Sequence, residues 1–344
     1  MRDDVAWTVD RGRYEDAVTP WEQESWRTAA LAWVADGLAA HGLRAAGPLE
    51  VRLRPWSVLA RVPVAGRPAV WFKANPPASG FEGALTAALA RWVPRHVLAP
   101  LAVDADRGWS LLPDGGALFR DVLERQAVGP EAWEGLLRQY AEMQRALVSH
   151  TQEIEDLGVP DARPARLPVM FDELVAGNSA LRPADRSRLE RLRPRLRDWC
   201  AELAALGVPD SLDHADLHDG QLFHPEPGRY TFFDWGDATV SHPFCSLHVT
   251  ARRAAERYGP GVMARLRDAY LEPWTDDGRT AAELRRAVDL AWRLSVLGRA
   301  RAWGGLFPAT PGTPGSASLS EHSAGSLLEL LDEPPFSPHP AGHP

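Results

Sequence analysis

Two aspartates, separated by a short predicted hairpin, constrain this chain more than anything else in it. The stretch His214-Ala215-Asp216-Leu217-His218-Asp219-Gly220-Gln221 has the spacing H-x-D-x-x-x-x-Q, and a second aspartate, Asp234, closes the apolar run Phe232-Phe233 just before Trp235. Between them, Gln221-Leu222-Phe223-His224 and Tyr230-Thr231-Phe232-Phe233 are short β-prone runs. They are separated by Pro225-Glu226-Pro227-Gly228-Arg229, a turn by composition, so the pattern predicts a hairpin. A hairpin brings its outer ends together. Gln221 and Asp234 are therefore expected side by side, with Asp216 just upstream, where one divalent ion could touch the first two.

Oxygen donors so arranged suit phosphoryl transfer: one carboxylate holds an attacking hydroxyl, and a second, with an amide oxygen, holds Mg²⁺ against phosphates. The motif resembles that of the aminoglycoside phosphotransferase family, the phosphotransferase branch of the protein-kinase-like fold. The family signature is close to H-G-D-x-x-x-x-N, with a later aspartate often followed by Trp. This chain departs from it twice, with Ala215 where the family usually has Gly and Gln221 where it usually has Asn. Glutamine keeps the carbonyl oxygen on a longer stem, so metal ligation is retained with altered reach. The resemblance implies an α+β, protein-kinase-like two-lobed fold, with a small N-terminal antiparallel-sheet lobe and a larger, mainly helical C-terminal lobe. It also implies Asp216 as the catalytic carboxylate, Gln221 and Asp234 as Mg²⁺ ligands, and ATP (or GTP) as phosphoryl donor. His214 and His218 take supporting roles, the first orienting the loop and the second facing the cleft.

Upstream, Thr19-Pro20-Trp21-Glu22 has the form of a capping box with Pro at the first helical position. A helix is expected to start there, to carry Trp26, Ala30, Trp33, Val34 and Leu38 on one face, and to stop at Gly42. From Leu49 the period changes. Residues 49–54, 58–64 and 69–74 are extended runs broken by Pro55-Trp56-Ser57 and Ala65-Gly66-Arg67-Pro68, an antiparallel meander. The chain has no G-x-G-x-x-G and no G-x-x-x-x-G-K-[ST]. In the kinase-like reading the Pro55-Trp56-Ser57 turn takes the place over the phosphates, making Ser57 a nucleotide-site residue. Lys73 ends the third run and is the candidate for the strand lysine that meets the α and β phosphates. Taken alone, a lysine closing an edge strand is more often a solvated gatekeeper. Glu82, the only acidic residue between Lys73 and Asp104, is its candidate partner, although Ser79-x-x-Glu82 is itself a capping box.

Trp109 to Gly116 reads as a strand and turn linking two lobes, placed to offer backbone groups to an adenine. Beyond it, Trp133, Leu136, Leu137, Tyr140, Met143 and Leu147 keep one helix face apolar, broken only by Gln144. Leu189, Leu192, Leu196, Trp199, Cys200 and Leu203 do the same in a second helix. Helices are expected after His242-Pro243-Phe244, at 260–274 and at 281–303. The expected division is an N-terminal lobe over 1–112, a helical lobe over 113–307, and a largely unpacked Pro/Gly/Ser-rich tail over 308–344 with a turn or two of helix near Ser326–Leu331.

Of 344 residues, 45% are hydrophobic and 24% charged, ample for a globular core. No apolar run approaches a membrane span, and Met1-Arg2-Asp3-Asp4 leads into no signal-peptide core, so the expected location is cytoplasmic. The two cysteines, Cys200 and Cys245, suit a reducing compartment and have no metal-binding spacing. The net charge of −8 argues against nucleic acid and for a cationic substrate. A rival chemistry remains: His214, Asp216 and His218 could bind Zn²⁺ or Fe²⁺ with His224 or His242 as a further ligand, which leaves Gln221 and Asp234 unused. Another alternative is a nucleotide-binding module without turnover. The expectation that uses every motif residue is a small-molecule kinase acting on a hydroxyl of a cationic substrate such as an aminoglycoside-type antibiotic. A choline, homoserine or sugar-amine kinase is its nearest alternative. The expected partner is that small molecule, with no nucleic acid, membrane or obligate protein partner.

Overall fold

Strand alternation organises the first part of the chain. In the computed structural model, which describes residues 5–304, 306 and 316–336, six strands form one sheet in the order β1-β2-β3-β4-β6-β5. They are β1 (Val5–Val9), β2 (Leu49–Arg54), β3 (Ser57–Val62), β4 (Val70–Ala74), β5 (Ala102–Asp104) and β6 (Trp109–Pro113). Along β2, Leu49, Val51 and Leu53 are buried while Glu50 and Arg52 are exposed, the period of a strand with one face on a core. The expected antiparallel meander is β2-β3-β4, with Arg54 opposite Ser57 across a tight turn at Pro55-Trp56. The sheet as a whole is mixed, because β1 pairs in parallel with β2, Val5 opposite Leu49.

One helix covers this sheet. Ala30, Val34 and Leu38 of α1 (Glu24–Ala40) pack with Leu49, Val51, Val58, Phe72 and Leu111. The ring of Trp109 meets Trp26, Trp33 and Phe72 edge-on at centroid distances of 5.7, 5.8 and 5.9 Å. The capping box expected at Thr19 does not form: Pro20–Glu22 is a 3-10 turn, and the Thr19 side chain caps nothing. The stop at Gly42 does form, with φ of 66° and the Leu43 N–H donating to Leu38 O at 2.9 Å. A second helix, α2 (Glu82–Trp92), follows β4.

By internal contacts the chain divides into two units, Met1–Gly116 with Phe233–Gly236 and Gly305–Glu321, and Ala117–Phe232 with Asp237–Gly304 and His322–Pro344. The second is mainly helical. It begins with α3 (Phe119–Arg125), α4 (Glu131–Leu147), α5 (Thr151–Asp156), α6 (Leu167–Gly177) and α7 (Pro183–Ala205). Five short strands belong to this unit as well: β7 (Asp161–Ala162), β8 (Ser211–Asp213), β9 (Leu222–Glu226), β10 (Arg229–Phe232) and β11 (Thr239–Ser241). β11 lies between β7 and β8, parallel to the first and antiparallel to the second. Then α8 (Leu247–Tyr258), α9 (Met263–Leu271), α10 (Ala281–Leu294) and α11 (Val296–Gly304) follow. The long helices expected at 260–274 and 281–303 are thus both interrupted, the first by 3-10 turns at Pro260–Val262 and Glu272–Asp277, the second at Ser295.

The described part of the expected unpacked tail is packed. It forms α12 (Ala317–Leu328), with Ser323, Ala324, Ser326 and Leu327 buried, and a 3-10 turn, Glu329–Leu331, with Leu330 buried. Arg293 holds the segment after it, donating to Asp332 O at 2.7 Å and to Glu333 at 2.5 Å. Positions 308–315 and 337–344 of that tail lie outside the described residues. No helix among the described residues is long and apolar enough to cross a membrane.

Candidate active site

β4 is a central strand, not the edge its lysine suggested. Lys73 lies with Leu59 of β3 on one side and Ser110 of β6 on the other, and only 5% of it is exposed. A buried ammonium must be paired. Lys73 Nζ donates to Glu82 Oε1 at 2.8 Å and to Asp234 Oδ1. Glu82, in the first turn of α2, is free for this because the Ser79 capping box is absent and Pro77–Ser79 forms a 3-10 turn instead. Both oxygens of Glu82 are used. Trp235 N–H donates to Oε1 at 3.1 Å and Asn75 Nδ2 to Oε2 at 2.7 Å. Gly236 makes this approach feasible, since a Cβ there would lie 3.2 Å from Glu82 Oε2 and 3.4 Å from Ser79 Cβ. Asp234 has φ of 67°, a left-handed backbone uncommon for a residue with a side chain.

Burial alone would lower the Lys73 pKa, but the charges of Asp234 and Glu82 outweigh it and hold the ammonium above its ordinary range. Burial pushes the Glu82 carboxyl up, and Lys73 opposes that push. Ser57, expected at the phosphate turn, is the first residue of β3 and is buried. The tip of that turn is Pro55-Trp56, with the Trp56 ring edge-on to Tyr14 at 5.7 Å.

The second unit supplies the loop after β8. Ala215, where the resembled family usually has glycine, has φ of 61°, and its N–H donates to Asp213 Oδ1 at 2.9 Å. Glycine enters this region without steric penalty; alanine does so against a cost of about 1–2 kcal/mol. The next residue, Asp216, keeps its side chain 40% exposed. Gly220 N–H donates to His218 Nδ1 at 2.9 Å, so a neutral His218 carries its proton on Nε2, 3.6 Å from Asp216 Oδ2. Arg120 of α3 donates through Nε to Asp219 Oδ2 at 3.0 Å and through its backbone N–H to Asp219 O at 2.9 Å.

Beneath the loop is a buried polar network. His214 is fully buried, its N–H meeting Tyr140 Oη at 3.1 Å and Ser246 Oγ at 3.3 Å. Gln144, the one polar interruption of the α4 stripe, donates from Nε2 to Leu212 O at 2.8 Å and to Pro243 O at 3.1 Å. Its Oε1 accepts from Tyr270. Thr250 Oγ1 donates to Leu217 O at 2.8 Å. Asp213 accepts from Ser246 Oγ at 2.6 Å, and burial pushes its carboxyl up to about 6.

The expected hairpin is present as β9 and β10, antiparallel, with Leu222 opposite Phe232. It is tighter than composition suggested. β9 continues through Pro225 and Glu226, leaving Pro227-Gly228 as the turn, with Gly228 at φ of 76°. Gln221 precedes β9, its N–H donating to His218 O at 2.9 Å, and β10 leads through Phe233 into Asp234. Of the residues picked out in the sequence, then, Lys73, Glu82 and Asp234 meet in one unit, while His214, Asp216, His218 and Gln221 share one loop of the other. The histidines offered to a rival metal site are engaged elsewhere: His224 stacks on Tyr230 at 4.8 Å, and His242 accepts from Phe244 N–H at 3.3 Å. No cluster of three or more His, Cys, Asp or Glu able to hold a metal occurs among the described residues. Asn75, Arg120, Asp213 and Ser246 had no signal of their own in the sequence. Gln144 did, as a glutamine on an apolar stripe.

A profile of the Phosphotransferase enzyme family matches residues 38–284. No curated protein matches the chain. Among solved structures it is similar to a choline/ethanolamine kinase family protein from Mesorhizobium loti, at 17% identity over 90% of this chain and 97% of that one, with a TM-score of 0.56. It is similar to the macrolide 2'-phosphotransferase MphH from Brachybacterium faecium, at 21% identity over 87% and 98%, with a TM-score of 0.54. A third is the GDP complex of aminoglycoside 2'-phosphotransferase-IIIa, at 16% identity over 87% and 97%, with a TM-score of 0.54. At such identities the likeness is one of fold, and the fold is the protein-kinase-like one.

Proposed function

This chain belongs to the phosphotransferase enzyme family, and from that premise we propose that it transfers the γ-phosphate of ATP or GTP to a hydroxyl of a small, cationic molecule. One observation carries the reading: a buried lysine held at once by a helix carboxylate and by the aspartate that follows the hairpin. In phosphoryl transfer that lysine lies against the nucleotide's phosphates, and the carboxylate pair keeps it charged and aimed. Asp216 accepts the hydrogen bond of the substrate hydroxyl and directs its oxygen. A loose transition state asks more for that orientation than for early proton removal. His218 faces Asp216 with Nε2–H and limits its rotation. Asp234 and Gln221 contribute only oxygen donors, the set of a hard cation, so they are the residues that would hold Mg²⁺. Bound there, Mg²⁺ would neutralise charge on the phosphates.

The net charge of −8 favours a cationic acceptor. Aminoglycoside-type antibiotics are the first class proposed, with antibiotic resistance as the consequence. Choline- or ethanolamine-type acceptors are the second, favoured by the likeness to the Mesorhizobium loti protein. The proposed donors, ATP and GTP, are abundant in the cytoplasm, the location proposed for the activity.

The first test is thermal unfolding with nucleotide plus Mg²⁺, and with nucleotide plus chelator, followed by labelled γ-phosphate transfer to a panel of both classes. Nucleotide at about 100 times its Kd should stabilise by about 2.7 kcal/mol, a shift of a few degrees. Asp234→Asn is expected to lose the Mg²⁺-dependent part of that shift. Asp216→Asn is expected to bind nucleotide normally and to lose about 10²- to 10⁴-fold in turnover. Full turnover in Asp216→Asn refutes the assignment, and a nucleotide shift without transfer to any hydroxyl favours a binding module.

A further inference from the structure

Asp213 is the last residue of β8, three positions before Asp216, and 2% exposed. Its Oδ1 accepts two hydrogen bonds, from Ala215 N–H at 2.9 Å and from Ser246 Oγ at 2.6 Å. We propose that Asp213 is a positioning residue for phosphoryl transfer, holding through Ala215 and Ser246 the strained turn from which Asp216 leaves the sheet. The proposal rests on the reading of Asp216 given above and extends it to a residue that touches no substrate.

Geometry makes the case. Ala215 sits at φ of 61° without the freedom of glycine, so something must hold it there, and its only backbone donor is spent on Asp213. The direction of Asp216 follows from the backbone of the residue before it. Ser246 is in turn fixed to the same loop by His214 N–H at 3.3 Å and to α4 by Tyr140 Oη at 3.3 Å. A carboxylate is a costly choice for a buried anchor, because no arginine or lysine among the described residues forms an ion pair with it. The titratable groups that face it are Tyr140 from α4, Tyr270 from α9 and Cys245 from the turn Pro243–Ser246, all pushed up by burial and neutral. His214 adjoins it in sequence, and β11, paired alongside through Thr239, brings no titratable side chain. Burial pushes the carboxyl up to about 6, so its charge changes in a range where the Ala215 amide can be followed.

The experiment compares wild type, Asp213→Asn, Asp213→Ala and Ser246→Ala by steady-state kinetics from pH 5 to 8 and by ¹⁵N resonances of the Ala215 amide. Asp213→Ala is expected to lose about 10- to 100-fold in kcat with KM for nucleotide nearly unchanged, the size of effect a misplaced group produces. Asp213→Asn retains an oxygen that accepts both bonds, so its kcat at pH 7.5 should stay within about threefold of wild type. Wild type should show an Ala215 amide that titrates near pH 6, and that titration should vanish in Asp213→Asn, while kcat changes by no more than about threefold across it because the protonated carboxyl keeps the same acceptor oxygen. Wild-type kcat in Asp213→Ala, or an Ala215 amide indifferent to pH, overturns the proposal. If Asp213→Ala does not fold, Ser246→Ala decides, with an expected loss of about 3- to 10-fold in kcat at constant KM; unchanged kcat in that variant also overturns it. A wild type that phosphorylates no hydroxyl while its Ala215 amide titrates removes the reading of Asp216, a failure the resonance keeps apart from failure of the anchor.

Discussion

Lys73 is the residue whose surroundings leave the fewest choices. Its ammonium lies among Glu82, Asp234 and the strands on either side, and breaking a buried pair by removing one partner typically costs 3–5 kcal/mol, because the remaining charge is stranded. Lys73→Met strands the Glu82 carboxylate, itself 5% exposed at the side chain, and should destabilise by about 3 kcal/mol or more. Glu82→Gln leaves Lys73 paired with the partly exposed Asp234 and keeps an acceptor oxygen, so the expected loss is smaller, about 1–2 kcal/mol. Urea unfolding of both variants checks the order. A Glu82→Gln loss equal to or larger than that of Lys73→Met would mean that the pair does not hold this part of the unit together. The lysine and its glutamate were visible in the sequence, since each is the only residue of its kind near its motif, and the second aspartate because it closes the apolar run after the hairpin. Their neighbour Asn75 was not, because an asparagine just past a strand carries no sign of which carboxylate it will meet.

At the scale of elements, α4 turns its one polar interruption into a support for the loop. Gln144 serves two carbonyls, Leu212 O and Pro243 O, and accepts from Tyr270, all of them buried. Gln144→Leu fits the apolar stripe better and leaves those groups unmatched, at about 1–3 kcal/mol for the first and less for those that can relax toward one another. The expected net loss is about 3 kcal/mol by thermal or urea unfolding, and a variant as stable as wild type refutes the role. Periodic elements such as α4, α7 and the meander were legible because their apolar faces repeat over several turns or strands. Local signals fared worse. The boxes at Thr19 and Ser79 both match a helix start and neither caps one; in the second case tertiary pairing with Lys73 takes the glutamate. β1 is five residues long and joins the sheet in parallel beside β2, a partner that lies beyond α1 in the chain. Lys73 read as an edge residue because β6, which covers it, arrives only after α2. Nothing in the sequence pairs Asp219 with Arg120, because the two lie 99 positions apart.

At the scale of the whole molecule, three buried or half-buried groups with large shifts push the response of stability to acid in opposite directions. Burial, with the charge of Arg279 adding to it, lowers His242 to about 3. Below its unfolded value of about 6.5 the unfolded chain takes up a proton that the fold refuses, so stability is lost as pH falls through that window. Asp213 works the other way. Raised to about 6, it is protonated in the fold while still ionised in the unfolded chain, so stability rises as pH falls from about 6 to 4. Burial would raise Glu329, but the hydrogen bond from His248 and the charges of Arg299 and Arg252 bring it to about 2. Its contribution is present above about 4.5 and lost below. From pH 7 to 4.5 the contributions of the first two nearly cancel, and that of Glu329 is lost below. Asp213→Asn removes the compensating group. At about 1.4 kcal/mol per pH unit, it should be roughly 2–3 kcal/mol more stable than wild type at pH 7.5, where a charged Asp213 is the costly form, with that advantage gone by pH 4. Unfolding free energies in urea at pH 7.5, 6 and 4.5 test this directly. Parallel curves for the two proteins would mean that Asp213 does not titrate in the fold, whereas convergence toward acid pH would show that the fold carries a destabilising charge at neutral pH, the expected mark of a group kept for the loop beside it.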